Sequence, residues 1–194
     1  MREIENMKKW PIRKIGDVCL VIAGQSPEGR FYNKTGNGLP FYQGKKDFGE
    51  KFLDEPTVWT TDITKEALPG DILMSVRAPV GPTNLTERKV CIGRGLAAIR
   101  PTDAIDRDFL FYFLRSHESE LVGNAGAVFG SINKAQIEDI NIPLPSIEEQ
   151  RATVTRLHAL SAETKKLEEI YRKKIAALEE LKKSVLKKTF AGEL

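Results

Sequence analysis

The side chains best equipped for chemistry in this chain are groups that read base edges and grip phosphates, gathered in three glycine-bounded segments. One runs Gly24-Gln25-Ser26-Pro27-Glu28-Gly29-Arg30-Phe31-Tyr32-Asn33-Lys34, and a second runs Phe41-Tyr42-Gln43-Gly44-Lys45-Lys46-Asp47-Phe48-Gly49. Gln and Asn pair bidentately with adenine, and Arg and Lys with guanine, while Ser, backbone amides and Lys position phosphates. Aromatic residues interleave them. A third cluster joins Ser75-Val76-Arg77-Ala78-Pro79-Val80-Gly81 with Arg94 and Arg100. By spacing alone, two readings stay open for each segment: an ordinary polar connection, or a nucleic-acid-facing loop. For Arg77 and Arg94 the alternative is a brace within the fold.

Residue patterns for catalysis are missing. His117 and His158 both fall on expected helices, and neither has the Cys, Ser or carboxylate arrangement that nucleophilic or metal chemistry needs. No GxxxxGK[ST] phosphate loop occurs, and Gly123-Asn124-Ala125-Gly126 is a glycine pair of the kind that closes a helix. Asp47, Asp62 and Asp71 have no spacing that implies a shared metal. Cys19 and Cys91 sit in apolar runs without a second ligand at metal spacing, which makes them buried free thiols. The expectation is a binding protein with no metal and no cofactor.

Short strands must position these segments. Val18-Cys19-Leu20-Val21-Ile22-Ala23 is an apolar run ended by Gly24, and Asp71-Ile72-Leu73-Met74-Ser75-Val76 follows the turn Pro69-Gly70. Val90-Cys91-Ile92 and Leu96-Ala97-Ala98-Ile99 flank Gly93-Arg94-Gly95, again as buried strands separated by a turn. Asp106 caps a helix on which Phe109, Leu110, Phe113, Leu114 and Leu121 recur at helical spacing. One helical turn is expected around Ala135 to Glu138. Ile140, Ile142 and Leu144 then alternate as a strand.

A much longer helix follows. Ser146-Ile147-Glu148-Glu149 reads as a capping box, and Pro143 and Pro145 keep the preceding residues out of helix. No Pro or Gly then occurs before Gly192, so the helix should run from Ile147 to about Thr189, roughly 65 Å at 1.5 Å per residue. With Leu157 at heptad position a, the a positions are Leu157, Thr164, Tyr171, Leu178 and Val185. The d positions are Leu160, Leu167, Lys174, Leu181 and Lys188, and seven of the ten are apolar. Ile170 and Ile175 flank the break at Lys174. Such a seam needs a partner, and Leu157, Leu160, Leu167, Tyr171, Leu178, Leu181 and Val185 are its expected contacts. The fold class is therefore α+β, a β-rich domain over residues 1–145 followed by a long coiled-coil helix over 146–194.

Composition narrows the setting. The 194 residues are 41% hydrophobic, no apolar run approaches the roughly 20 residues that span a bilayer, and MREIENMKKWPIRK lacks the apolar centre of a signal peptide. A cytoplasmic protein is expected. From Ile147 onward there are 11 Lys/Arg and 8 Asp/Glu, leaving 19 of each in Met1 to Ser146. A domain that gripped nucleic acid unaided would be markedly basic, so any such role depends on local basic clusters or on a more basic partner.

Taken in order, these segments resemble a known family. Trp10 through Gly16-Asp17-Val18, GQSP at Gly24 to Pro27, and LPFYQGKKDFG at Leu39 to Gly49 are similar to the target-recognition domain of type I restriction-modification specificity (S) subunits. So are GDILMSVRAPVG at Gly70 to Gly81, GRGLAAIRP at Gly93 to Pro101, and the run from Phe129 through IPLPSIEEQ to Gln150; LKKSVLKKTFAGEL, Leu181 to Leu194, is similar to the family's C-terminus. The resemblance covers about 180 residues. It implies a non-catalytic subunit that selects a double-stranded DNA target, while methyltransferase (M) subunits methylate adenine and restriction (R) subunits cleave. It also makes Gln25, Ser26, Arg30, Asn33, Lys34, Gln43, Lys45, Lys46, Arg77 and Arg94 the expected DNA-facing residues.

Length departs from the family pattern, which commonly has two recognition domains separated by two antiparallel helices. One domain and one helix suggest a half subunit. Two copies joined by an antiparallel coiled coil would restore the architecture and read a palindromic bipartite site. Two other readings compete: a coiled-coil adaptor or anti-restriction decoy that sequesters M subunits, and the specificity half of a fused restriction-methylation enzyme. Base-reading groups in the loops weigh against the decoy, and the fused enzyme lacks a preceding methyltransferase signature.

Overall fold

Apolar runs of three to six residues between turns are too short for helices, and in the computed structural model they become the strands of three small sheets. The structure describes residues 10–118 and 130–192. The glycine pair at 123–126, Leu121, Phe129, residues 1–9 and the last two residues lie outside them. Two compact units are formed, Met1–Arg151 and Ala152–Leu194.

The first unit begins with β1 (Ile12–Lys14), α1 (Ile15–Val18) and β2 (Cys19–Ala23). It continues through β3 (Tyr32–Asn33), β4 (Leu39–Tyr42), β5 (Trp59–Thr60), β6 (Glu66–Ala67), β7 (Ile72–Ser75), β8 (Thr83–Leu85), β9 (Val90–Ile92) and β10 (Leu96–Pro101). α2 (Arg107–Ser116), α3 (Lys134–Glu138) and β11 (Asn141–Pro143) complete it. One sheet has the order β2-β10-β7-β8 and another β3-β5-β4-β9-β6, while β1 pairs with β11. All pairs are antiparallel except β4 with β9. Tyr42, Leu73, Val90, Ile92, Leu96 and Ala98 meet in one core cluster contributed by both larger sheets.

Several expected boundaries move by a residue or two. Val18 closes α1 instead of opening β2, and β7 is Ile72–Ser75 because Asp71 is a buried turn residue. The Asp71 carboxylate accepts the Leu68 amide at 2.8 Å and takes two hydrogen bonds from Arg100. α2 starts as expected, with the Asp106 carboxylate accepting the amides of Asp108 and Phe109, each at 3.0 Å. α3 has a capping box formed by Asn133 and Gln136. Strands of two to four residues such as β3, β5 and β6 carry too little period to be read from sequence.

α4 (Ile147–Phe190) begins in the first unit and supplies the second. Its capping box is present: the Ser146 amide donates to Glu149 Oε2 at 3.2 Å, and the Glu149 amide donates to Ser146 Oγ at 3.4 Å. One turn on, Gln150 is fully buried and satisfied. Its Oε1 accepts the Asp106 amide at 2.7 Å, and its Nε2 donates to the carbonyls of Pro145 and Ala104 at 2.9 and 3.3 Å.

From Ala152 onward the helix is the whole unit. Leu160 and Leu178 are each 64% exposed and Tyr171 55%, with Leu167, Leu181 and Val185 similarly uncovered and Leu157 half-buried. Ile170 and Ile175 widen the stripe on either side. The polar a-position Thr164 returns its hydroxyl to the Leu160 carbonyl at 3.0 Å, so it brings no unpaired donor to the stripe. Among the described residues, no helix is long and apolar enough to cross a membrane.

Candidate nucleic-acid interface

Glycines decide how the polar segments assemble. A Cβ on Gly24 would lie 2.2 Å from the Gly93 carbonyl oxygen, and one on Gly95 would lie 2.2 Å from the Gln43 carbonyl oxygen. The loop after β2, the loop after β4 and the β9–β10 turn therefore touch backbone to backbone, an approach only glycine permits. Hydrogen bonds lock the contact. The Gly24 amide donates to Leu96 O, Gln25 to Ile92 O, Gly93 to Tyr42 O and Val76 to Gly95 O, at 2.8 to 2.9 Å. Ser26 Oγ accepts the Arg94 amide at 3.2 Å.

Between the loop after β4, the end of β7 with the loop that follows it, and the β9–β10 turn lies a cleft of about 220 Å³ lined by Gln43, Gly44, Lys45, Ser75, Arg77, Ala78, Arg94 and Gly95. Residues of the second and third segments thus converge on one concavity, and none of its lining residues comes from the first. Gln43, Lys45, Arg77 and Arg94 are exposed. Among the described residues, no carboxylate lines the cleft. The backbone around Arg77 is held from below: Ser75 Oγ donates to the Arg77 carbonyl at 3.1 Å, and the Ile132 amide donates to Val76 O at 2.9 Å. With three cations, one side-chain amide and backbone glycines, such a site can take an anion or a polar edge.

Other expected site residues are placed elsewhere. Arg30 pairs with Glu28 at 3.0 Å and lies over the Phe31 ring. Asn33 closes its own loop: its Oδ1 accepts from the Thr35 amide and hydroxyl and the Asn37 amide, and its Nδ2 donates to Asn37 O at 2.8 Å. Both halves of its amide are thereby engaged. Lys34 is exposed on that loop, and Lys46 lies 3.9 Å from Asp47. Gln25 is exposed, with its carbonyl accepting the Thr64 hydroxyl. Phe41 and Tyr42 belong to β4 and are buried, so the aromatic interleaving is partly core: Tyr32 stacks on Phe41 with centroids 4.8 Å apart. Burial pushes the Tyr42 phenol up to about 12, and its hydroxyl donates to Asp54 O.

Arg100 is a brace. Its guanidinium donates to both oxygens of the buried Asp71 at 2.9 and 2.8 Å. It also borders a larger hollow of about 470 Å³ lined by Ile22, Ile63, Thr64, Lys65 and Glu66, where Glu66 is paired with Lys89 at 2.6 Å. Arg100 and Glu66 there already have partners of opposite charge. Ser75, Gly44 and Gly95 are cleft residues that side-chain chemistry alone does not single out. The signal available for Gly95 was its place beside Arg94 in a turn between two apolar runs. Among the described residues, no group of His, Cys, Asp and Glu could hold a metal ion.

Comparison with known proteins converges on one family. The profile of the type I restriction modification DNA specificity domain matches residues 7–179. A Methanocaldococcus jannaschii protein assigned as the MjaX type I restriction enzyme specificity subunit is 40% identical over 190 residues, covering 95% of this chain and 43% of that protein. The HsdS subunit from Thermoanaerobacter tengcongensis aligns over the whole chain and 48% of its own length, with 40% identity and a TM-score of 0.80. A chain from a study of complex assembly and conformational transition of the type I R-M system gives 41% identity and a TM-score of 0.88, over 49% of that chain. The chain spans about half the length of the relatives it matches. With the family motifs laid on β2, β4, β7, β9, β10 and the start of α4, the chain belongs to the type I restriction modification DNA specificity family.

Proposed function

We propose that this chain is the DNA-reading component of a type I restriction-modification complex, acting as a homodimer on a palindromic bipartite target. The observation that carries the reading is the convergence of Gln43, Lys45, Arg77 and Arg94 from three stretches of the chain on one cleft that no carboxylate lines among the described residues. Residues 1–145 meet one half-site. Residues 146–194 pair with the same helix of a second copy, antiparallel, through Leu157, Leu160, Leu167, Tyr171, Leu178, Leu181 and Val185, and so set the distance between half-sites. Gln25, Gln43 and the lysines 34, 45 and 46 face DNA, whereas Asn33 and Arg30 shape the first loop.

The subunit itself does no chemistry. Methyltransferase subunits supply adenine methylation and additional DNA grip, which suits the formally neutral residues 1–146. Restriction subunits join to cleave, in the cytoplasm where host DNA lies. The test is insertion of one whole heptad into α4, which adds roughly 10 Å while preserving the stripe, equivalent to up to about three base pairs. Methylome sequencing should find unchanged half-sites with a longer spacer. Altered half-sites with the old spacer would refute this division of labour, and binding of M subunit with no DNA selectivity would identify a decoy instead.

A further inference from the structure

Charge balance in the cleft constrains its occupant. Lys45, Arg77 and Arg94 line one concavity of about 220 Å³ that, among the described residues, no carboxylate borders. Elsewhere in the same unit four arginines have carboxylate partners: Arg30 with Glu28, Arg88 with Glu55, Arg100 with Asp71, and Arg107 with Asp108. Among the described residues, neither Arg77 nor Arg94 has one. Like charges gathered around a small hollow raise its positive potential and favour a ligand of concentrated negative charge. A base edge presents neutral dipoles, while a phosphodiester carries a full charge and acceptor oxygens suited to guanidinium.

We propose that this cleft seats a backbone phosphodiester of the target, with Lys45, Arg77 and Arg94 as its cations, and that Ser26 is the positioning residue that holds Arg94 in place. The proposal rests on the DNA-reading function above for the source of the phosphate, and it assigns the two arginines to gripping, leaving Gln43 to read. Ser26 acts through the main chain. Its half-buried hydroxyl accepts the Arg94 amide, and Gly93 and Gly95 are pressed against Ser26 and Gln43 on either side. The turn therefore has one available course, and the hydroxyl fixes the residue at its centre.

The experiment uses the full chain with its methyltransferase subunit on a DNA library randomised at each position, at several salt concentrations. Arg94→Gln and Arg77→Gln should each weaken binding equally on all sequences. Each should flatten the dependence of log K on log salt by about one unit per lost phosphate contact in each half-site. Ser26→Ala should reproduce part of the Arg94→Gln loss and add nothing to it in the double variant, while Ser26→Thr restores the wild-type slope. A merely structural role would instead lower the melting temperature without touching that slope.

A second arm titrates the chain alone with inorganic phosphate and follows the arginine Nε–H resonances. Arg77 and Arg94 should shift together and Arg88 should not, with Ser26→Ala diminishing the Arg94 shift. The seat is overturned if Arg94→Gln changes base preference at an unchanged salt slope, or if phosphate moves Arg88 as much as Arg94. Phosphate shifts at Arg94 with no selective DNA binding by the wild type would leave a seat for free phosphate. That result would overturn both the DNA source and the function proposed above.

Discussion

The two units treat apolar side chains in opposite ways. Every residue of β7 and β9, and Leu96 to Ile99 of β10, is buried in the first unit, whereas Leu160, Leu167, Tyr171, Leu178 and Leu181 are more than half exposed in the second. Hydrophobic content is similar in kind but differs in what can cover it. β7, β9 and β10 each have a paired strand on both edges, and the two larger sheets share one core cluster. A single helix presents one apolar stripe and has no second layer to lay over it. The first unit thus covers its own apolar strands, and the second leaves an apolar stripe uncovered, the surface proposed above for pairing with a second copy.

The sharpest way to break this contrast is to put charge into the stripe. Leu167→Glu with Leu178→Glu should convert a dimer to monomer, because burying two unpaired carboxylates costs several kcal/mol, on the order of the whole pairing energy. Sedimentation should show the change while thermal melting of the first unit stays put. A double variant that still sediments as dimer would place the interface elsewhere.

Phe111, fully buried on α2, offers the converse. Truncation to Ala should remove about 3–5 kcal/mol from the stability of the first unit. Urea titration should register that loss with no change in association state. If dimerisation fell in step, the two units would not be independent.

Smaller effects sharpen the contrast within the first unit. Gln43→Ala should relax base choice at one position in each half-site by about 1–3 kcal/mol of discrimination, symmetrically in both halves. Uniform loss on all sequences would instead make Gln43 a gripping residue. Last comes Cys19, whose thiol is pushed by burial from 9.0 to about 12. Since the unfolded thiol ionises first, the stability this group contributes is complete below pH 9.0 and is lost as the pH rises toward 12. Cys19→Ala should flatten the alkaline fall in stability, measured by urea midpoint against pH. An identical slope in the variant would show that burial of Cys19 is not what is felt.

Much of the fold was legible along the chain. Val90–Ile92 was read to the residue, the Asp106 and Ser146 caps were read from their side chains, and α4 ends one residue beyond the expected Thr189. Caps and heptads are local, so they survive in one dimension. Short strands do not. β3, β5 and β6 have two residues each and exist because partners arrive from elsewhere, which is why part of the second polar segment proved to be the buried strand β4.

Sequence by itself determined the inventory: an α+β chain without a metal-ligand pattern, a long helix with an apolar stripe, and polar loops bounded by glycine. Only the tertiary structure decided which polar groups meet. Arg77, Arg94 and Arg100 are indistinguishable by type, yet Arg100 is held by the buried Asp71 while the other two face one cleft. Asn33 and Gln43 carry the same amide, yet one closes its own loop and the other lines that cleft. The physical reason is that a side chain's chemistry is set by its type, but its availability is set by which partners the backbone brings within hydrogen-bonding distance. Those partners lie 29 residues away for Arg100 and four or fewer for Asn33. For Arg94, glycine-permitted backbone contacts join loops 68 residues apart.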